Sequence, residues 1–217
     1  MTSYLLATLT FAGIYAMLAL GLNVMWGMAG MINLGLAGFF AVGAYVSALL
    51  TAVVGLPIVV GALAGMAAAA LAGALMSRLT LRLRGDYLAI VTLGFGELVR
   101  LFAANEIWLT NGSDGISGIP GPFRGTLTPF EFNALFAAIT VVLVALAWFF
   151  THRLRVSPYG RALRALREDE TAAAVAGKPV RRLKVEAFAF GAMLLGLAGV
   201  LYSHFTSYIA PDIFRPL

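Results

Sequence analysis

Residues 57–77 read PIVVGALAGMAAAALAGALMS, an uncharged run long enough to cross a bilayer as a helix. About 20 mostly apolar residues span the roughly 30 Å hydrocarbon layer. Small residues recur at every fourth position of this run, namely Gly61, Gly65, Ala69, Gly73 and Ser77. Residues at that spacing share one helix face, and small side chains let helices approach closely in a membrane. The run therefore predicts a membrane-spanning helix that packs through one smooth stripe.

The rest of the chain has the same apolar character. Of its 217 residues, 61% are hydrophobic and 12% are charged, and the mean hydropathy is +0.91. Soluble domains carry about 25% charged residues. No Asp, Glu, Lys or Arg occurs in residues 1–77. This composition excludes a water-soluble enzyme and a nucleic-acid-binding module, and it predicts an all-α, polytopic integral membrane helical bundle.

Six stretches are apolar and long enough to span a bilayer or to re-enter it. They cover residues 4–25, 31–52, 57–77, 87–105, 132–150 and 185–206. We expect residues 1–217 to form a single transmembrane domain. The glycine-rich stretch 21–43, which includes Asn23 and Asn33, favours a break or re-entrant turn as much as two packed helices joined by a short loop.

The charged residues concentrate in the connections between these stretches. Residues 151–184 carry nine Lys or Arg, and residues 78–86 carry Arg78, Arg82, Arg84 and Asp86. Residues 106–131 contain one basic and three acidic residues. Basic loops face the cytoplasm in membrane proteins. We therefore expect 78–86 and a coupling loop at about 151–184 to be cytoplasmic, and the loop at about 106–131 and both ends of this chain to lie outside.

Sequence motifs for catalysis and for nucleotide binding are missing. The chain has no cysteine, which excludes disulfides and thiolate chemistry. Its one Gly-Lys pair, Gly177-Lys178, is followed by Pro179, so no phosphate-binding loop can be assigned. His152 and His204 fall at opposite predicted faces of the membrane. We expect neither enzyme activity nor a resident cofactor or metal in this chain.

A cytoplasmic helix is predicted over residues 158–176. Ser157 is a favourable N-cap, Pro158 suits the first helical position, and Gly177 followed by Pro179 is a stop signal. Such a helix can lie on anionic headgroups or dock to a cytoplasmic protein. The acidic run 168–170 would be repelled by those headgroups, which favours docking.

One pair of ionisable residues lies inside a predicted span. Glu97 and Arg100 are three residues apart, so they share a helix face and can pair. Ionisable groups at membrane depth are costly and indicate a functional role by default. Both a structural pair and a place along a translocation pathway remain open for Glu97 and Arg100.

Four blocks of sequence resemble the LivM-type permeases of branched-chain amino acid ABC importers. The blocks are GLNVMWG (21–27) with INLGLAGFFAVGAY (32–45), LRLRGDYLAIVTLGFGE (81–97), NGSDGISGIP (111–120) and GRALRALREDE (160–170). They occur in order over essentially the whole chain. The resemblance implies a permease subunit in the bacterial inner membrane that moves branched-chain amino acids inward, driven by ATP that partner subunits bind.

The resemblance also implies partners and site residues. The partners are a second, LivH-like permease, two cytoplasmic ATPase subunits and a periplasmic substrate-binding protein, with the lipid bilayer around them. The block from Gly160 matches the loop whose helix docks in the ATPase. The candidate coupling residues are Tyr159, Gly160, Arg161, Arg164, Ala165, Glu168 and Asp169. The candidate translocation-pathway residues are Asn23, Asn33, Gly35, Gly94, Glu97 and Arg100.

Two departures from the family pattern and two alternative functions accompany this interpretation. Leu36 stands where family members often have His, and members usually continue into further spans beyond Pro211-Asp212, which we expect this chain to lack. The same architecture can import urea, short amides or aromatic acids. An ATP-independent channel or carrier is the other alternative, and an inverted repeat would favour it.

Overall fold

The chain folds as a helical membrane bundle. A computed structural model describes residues 2–81, 83 and 85–214, so Arg82 and Arg84 lie outside the described residues. The helices are α1 (Thr2–Leu22), α2 (Leu36–Ala48), α3 (Ile58–Leu79), α4 (Asp86–Asn105), α5 (Ile107–Thr110), α6 (Pro129–Val156), α7 (Pro158–Glu168), α8 (Glu170–Val175) and α9 (Val180–Thr206). Within that part, six helices are long and apolar enough to cross a membrane, which confirms the predicted number of spans.

Helix α9 is the centre of the bundle. It packs against α1, α2 and α3, and most of its membrane-spanning part is buried. Helix α6 packs mainly on α1, and α4 packs mainly on α2, so each of these two helices lies at an edge of the bundle. Large apolar side chains such as Leu98 of α4 and Phe150 of α6 remain exposed on those edges. In a membrane, such faces contact lipid or another subunit.

The predicted stripe of small residues on α3 is confirmed, because Gly61, Gly65, Ala69, Gly73 and Ser77 are all buried. Its centre is a point where three backbones meet. A Cβ built on Gly43 of α2 would lie 2.5 Å from Cα of Gly196 in α9. A Cβ built on Gly65 would lie 2.6 Å from the carbonyl oxygen of Gly43. Only glycine permits this approach of α2, α3 and α9.

The chain leaves the helical conformation between α1 and α2, which agrees with the predicted alternative of a break within residues 21–43. Helix α1 continues into a π-helical turn, Asn23–Met28, and residues 29–35 are not helical. Gly35 lies against the backbone of Thr92, six residues inside α4. Six helical residues correspond to about 9 Å. The non-helical backbone therefore reaches below the helix ends, where burial inside the protein makes it tolerable.

The prediction of one continuous cytoplasmic helix over residues 158–176 is wrong. It divides into α7 and α8 at Asp169, whose backbone is extended (φ −152°, ψ 109°). The Asp169 carboxylate accepts hydrogen bonds from the backbone N–H groups of Thr171 and Ala172 at 2.8 and 3.0 Å. The short Asp side chain thus replaces the helical hydrogen bonds of these N–H groups and caps the N-terminus of a new helix. The start at Ser157 and the stop at Gly177 are confirmed.

The last span begins earlier than predicted. Helix α9 starts at Val180 rather than near residue 185, so Arg181, Arg182 and Lys184 belong to its first turns and not to a loop. The connection between α3 and α4, together with α7, α8 and the start of α9, forms one end of the bundle, which we call the basic end. Contacts between Lys184 and Leu81 tie these segments together.

The opposite end carries a small folded connection. Strand β1 (Ile116–Ser117) pairs antiparallel with β2 (Tyr208–Ile209), which follows α9. His204 of α9 links this connection to the bundle: its Nδ1 lies 2.6 Å from the carbonyl oxygen of Pro120, and its Nε2 lies 2.8 Å from the hydroxyl of Ser47 in α2. A carbonyl only accepts, so Nδ1 donates and Nε2 of the neutral ring accepts from Ser47.

Candidate functional site

Helix α7 presents a charged face away from the bundle at the basic end. Leu163 and Leu166 are 0% and 4% exposed, so one face of α7 is packed onto the protein. Four of the seven candidate coupling residues, Arg161, Arg164, Ala165 and Glu168, lie on the exposed face. A partner protein can therefore reach these four residues without disturbing the fold.

Of the other three candidate coupling residues, Gly160 and Asp169 have structural roles in this chain, and Tyr159 is partly buried. Gly160 is buried, and a Cβ there would lie 2.5 Å from the carbonyl oxygen of Arg155, so glycine permits the tight turn from α6 into α7. Tyr159 is half-buried, and this burial, with the Glu186 carboxylate nearby, raises the pKa of its hydroxyl. Asp169 caps α8 as described above.

Arg167 connects α7 to the break after α1, a contact that the sequence did not predict. Its Nη1 donates a hydrogen bond of 2.6 Å to the carbonyl oxygen of Gly27. Gly30, at φ 71°, packs directly against the Arg167 side chain and backbone. A guanidinium at this point supplies both a donor and a positive charge to the exposed carbonyl end of α1.

The segment 29–35 is held from its other end by Asn33 and Thr92. The Asn33 side chain is 1% exposed; its Nδ2 donates to Sδ of Met25 at 3.0 Å, and its Oδ1 accepts from the N–H of Gly35 at 2.9 Å. The N–H of Leu34 donates to Oγ1 of Thr92 at 3.1 Å. Asn33 and Gly35 therefore shape the break and join it to α4.

Glu97 and Arg100 form the predicted ion pair on α4. The Arg100 Nε–Glu97 Oε2 distance is 2.8 Å and the Nη2–Oε1 distance is 2.5 Å, a bidentate arrangement. The Glu97 side chain is 37% exposed. Leu93 and Leu101, one turn away on either side of Glu97, are also exposed. The pair thus borders a face of α4 that the described part of this chain leaves uncovered.

The remaining two candidate pathway residues lie at separate places. Gly94 is exposed on α4, and a Cβ built on it would meet nothing within 4 Å. Asn23 is exposed on the π-helical turn that ends α1, beside a cavity of about 620 Å³ that Trp26 and Arg167 also line. The structure therefore groups Asn33 with Gly35 near Thr92, places Glu97 with Arg100 further along α4, and puts Asn23 at the basic end.

Lys184 is a second functional candidate that the sequence did not reveal. Lys184 is 7% exposed. Its Nζ lies 2.8 Å from Oε1 of Glu170 and 3.3 Å from the carbonyl oxygen of Leu81. It therefore ties α9, α8 and the connection after α3 together. One signal could have found it: Lys184 precedes Phe188 by four residues, so it continues the buried face of α9.

The interactions that the structure shows for these residues are hydrogen bonds and ion pairs. Among the described residues, no group of three or more His, Cys, Asp or Glu side chains could hold a metal ion. The exposed α7 face, the Arg167 contact and the break form a continuous route from the basic end to Thr92 of α4. Five further residues of α4, about 7.5 Å of helix, lead to Glu97.

Comparison with known proteins gives a family match over nearly the whole chain. A family model described as a permease component of branched-chain amino acid transport systems matches residues 4–217. The chain is 41% identical over 240 residues to the high-affinity branched-chain amino acid transport system permease protein LivM of Escherichia coli (strain K12). That alignment covers 96% of this chain and 54% of the E. coli protein, so the chain spans about half the length of this relative.

Two more distant relatives extend the comparison. The probable branched-chain amino acid transport permease protein LivM of Methanocaldococcus jannaschii is 30% identical, with 95% of this chain and 69% of that protein aligned. The high-affinity branched-chain amino acid transport system permease protein LivH of E. coli (strain K12) is 27% identical over 94% of this chain and 71% of its own length. No solved structure matches the chain.

Proposed function

Because the chain belongs to the family of permease components of branched-chain amino acid transport systems, we propose that it is a permease subunit of an ATP-driven importer for these amino acids. The observation that supports coupling to ATP is the exposed face of α7, displayed by a helix whose opposite face is buried. ATP would be bound by separate cytoplasmic ATPase subunits that dock on this face. In this arrangement the basic end faces the cytoplasm.

Arg164 and Glu168 are the residues we propose for the contact with the ATPase. Both are exposed on α7 and differ by four positions, so they share one patch. Replacing both by Ala should weaken co-purification of the ATPase with the permease pair and lower amino-acid uptake in proportion. The measurement is the amount of ATPase retained at increasing salt on the assembled complex.

A matched control separates this contact from a general charge effect. Arg182 and Glu186 form an ion pair of 2.5 Å between exposed side chains at the same end of the bundle, and replacing both by Ala also leaves the net charge unchanged. ATPase retention should be normal in this control. Undiminished retention and uptake in the Arg164→Ala, Glu168→Ala variant would remove α7 from the proposed contact.

We propose that Arg167 carries the motion of α7 into the membrane. It contacts Gly27 and Gly30 at one end of the break, and Leu34 contacts Thr92 at the other. A displacement of α7 would therefore move residues 29–35 against α4. A ligand shifts a two-state equilibrium only through its different affinity for the two states, and here ATP in the partner subunits would supply that difference.

If the motion passes through Arg167, a substitution of this residue should give a complex that assembles normally but transports less. Arg167→Ala should leave ATPase docking intact, because the proposed contact residues Arg164 and Glu168 are unchanged, while ATP hydrolysis continues with reduced uptake. The measurement is the ratio of amino acid imported to ATP hydrolysed in proteoliposomes that contain the complete complex. An unchanged ratio in correctly assembled Arg167→Ala complex would show that the motion takes another route.

We propose further that the second permease subunit covers the face of α4 that carries Glu97. Ionisable side chains within membrane spans almost always face other protein or a water-filled cavity rather than lipid. The Glu97–Arg100 pair is only partly buried in this chain, and Gly94 lies one turn away on the same exposed side of α4. A LivH-like partner on this face would place the pair at the boundary between the two permeases, where a translocation pathway can form.

The substitution Glu97→Gln tests this assignment. We expect uptake to fall while expression and assembly remain normal, because Gln keeps the size of Glu97 but removes the charge that holds Arg100. Glu106→Gln, on the connection after α4, is the matched control and should transport normally. Normal uptake by Glu97→Gln would remove Glu97 from the pathway.

Leucine, isoleucine and valine are the substrates we propose, and the plasma membrane of a bacterium is the proposed location. The names of the relatives support this choice over urea, short amides or aromatic acids. Uptake of labelled leucine, urea and phenylalanine by the same cells, with and without the genes for the complex, would rank these substrates directly. A periplasmic substrate-binding protein completes the proposed importer.

A further inference from the structure

A cavity of about 900 Å³ opens at the basic end between the last turn of α3 and the first turn of α9. Arg78 of α3 and the Arg181 and Lys184 side chains of α9 line it; the two arginines are exposed and Lys184 is buried. Because each arginine sits in a terminal turn of a spanning helix, the cavity lies where a membrane's hydrocarbon layer meets its headgroups. None of the four exposed candidate coupling residues of α7 lines it.

The cavity has an excess of positive charge. Lys184 is neutralised by its ion pair with Glu170, the acidic residue of the lining. Within the described residues, the guanidinium groups of Arg78 and Arg181 make neither a hydrogen bond nor an ion pair. The first turn of α9 contains no acidic residue, so the positive end of this helix adds to the same field. Two guanidinium groups therefore face a space that a phosphate group can fill.

An apolar stripe continues from the cavity toward the middle of the membrane. Leu79 lines the cavity, and Leu75 and Leu71 follow at four-residue intervals on the same face of α3. Their exposures are 72%, 59% and 70%. Eight residues of helix extend about 12 Å, close to half of the hydrocarbon thickness of roughly 30 Å. The surface thus combines a positively charged cavity with an adjoining apolar strip of α3 that a hydrocarbon chain can contact.

From this combination we infer a binding site for an anionic phospholipid of the leaflet at the basic end. The phosphate lies between Arg78 and Arg181, and an acyl chain follows the leucine stripe of α3. A free phosphate would use the arginines alone, whereas a lipid uses both parts of the surface. Basic pockets between spanning helices at this level are known to accept acidic headgroups. Lipid binding at this site is independent of the transported substrate.

The test uses the full chain in nanodiscs of phosphatidylcholine that contain a small fraction of photoreactive phosphatidylglycerol with the reactive group in the acyl chain. Mass spectrometry then maps the labelled peptides. We expect labels at residues 71–79, and we expect them to decrease at least fivefold in the Arg78→Gln, Arg181→Gln variant, since each arginine is worth about fivefold near an anionic surface. The purified variant is first checked for an unchanged thermal unfolding profile.

A charge-matched control distinguishes a site from a diffuse positive surface. Arg153 and Arg155 lie exposed in the last turn of α6, at the same end of the bundle, and do not line the cavity. Arg153→Gln with Arg155→Gln should leave labelling of 71–79 unchanged. Equal losses in the two double variants would overturn the inference, because general surface charge would then account for the labelling.

Competition identifies the ligand. Unlabelled phosphatidylglycerol should displace the photoreactive lipid, while added phosphatidylcholine or a molar excess of inorganic phosphate should not. Displacement by inorganic phosphate would assign the cavity to a soluble anion and overturn the lipid site. Displacement by the docked ATPase subunits would assign Arg78 and Arg181 to a protein contact and would overturn it as well.

Discussion

Substituting alanine for Gly43 tests the three-helix contact at the centre of the bundle. The new Cβ would lie 2.5 Å from Cα and 2.6 Å from the carbonyl carbon of Gly196 in α9. Carbon atoms in contact are ordinarily about 3.5–4.0 Å apart, so the contact is short by about 1 Å. Every opposing atom belongs to the backbone. No side-chain rotation can relieve the overlap, and α2 must move away from α9.

The expected cost follows from two opposing effects. Inserting an extra carbon into a well-packed core typically costs about 1–3 kcal/mol. Replacing Gly by Ala inside a helix contributes up to about 1 kcal/mol in the other direction. The net loss for Gly43→Ala should therefore be about 0–2 kcal/mol in the free energy of unfolding, because the propensity gain of about 1 kcal/mol offsets part of the overlap. The loss extends to α3, because the Gly43 carbonyl oxygen also faces Gly65.

Gly94→Ala is the matched control, because Gly94 is also inside a spanning helix but a Cβ there would meet nothing within 4 Å. The propensity gain is common to both variants, so their difference isolates the overlap and should be about 1–3 kcal/mol. Unfolding of the isolated chain in mixed micelles, titrated with a denaturing detergent and followed by tryptophan fluorescence, measures it. A Gly43→Ala protein as stable as Gly94→Ala would refute the contact.

Three further substitutions probe single interactions by thermal unfolding of the purified chain. Thr128→Ala removes a capping box at the start of α6 and should cost about 0.5–2 kcal/mol; no loss would mean that the cap is dispensable. Lys184→Met removes the ion pair with Glu170 and the hydrogen bond to Leu81 and should cost about 1–3 kcal/mol, whereas an unchanged unfolding temperature would contradict these contacts. His204→Leu removes the partner of the buried Ser47 hydroxyl and should cost about 1–3 kcal/mol, whereas an equally stable variant would contradict the assigned hydrogen bonds.

The spans and the packing face of α3 could be predicted because they depend on averages and on spacing. Hydropathy over about 20 residues located six spans, and the four-residue period from Gly61 to Ser77 gave the buried face of α3. Neither prediction needs knowledge of what lies opposite. The partner of the stripe could not be predicted, because Gly43 and Gly196 are distant in the chain and each is one glycine among many.

The ends of the spans were harder to predict because polar residues there have competing roles. The run Glu168-Asp169-Glu170 suits an exposed helix face, yet Asp169 ends one helix and caps the next. From the sequence alone, Lys184 and Arg167 are recognisable only as two of the basic residues that set the orientation of the chain. Their long side chains reach Leu81 and Gly27 in other segments, and such contacts depend on tertiary structure rather than on local sequence.

The two charged side chains inside the membrane are paired with each other, whereas some charged side chains at the basic end are not. Within the membrane, Glu97 and Arg100 pair through two contacts, because an isolated charge in a medium of low dielectric is very unfavourable. At the basic end, partly exposed charges can be compensated by water, by protein or by lipid. Arg78 and Arg181 have no compensating group in the described part of the chain. Both arginines lie in terminal helix turns next to an apolar stripe. In an anionic membrane, the phosphate of a lipid is therefore available at this position to balance their charge.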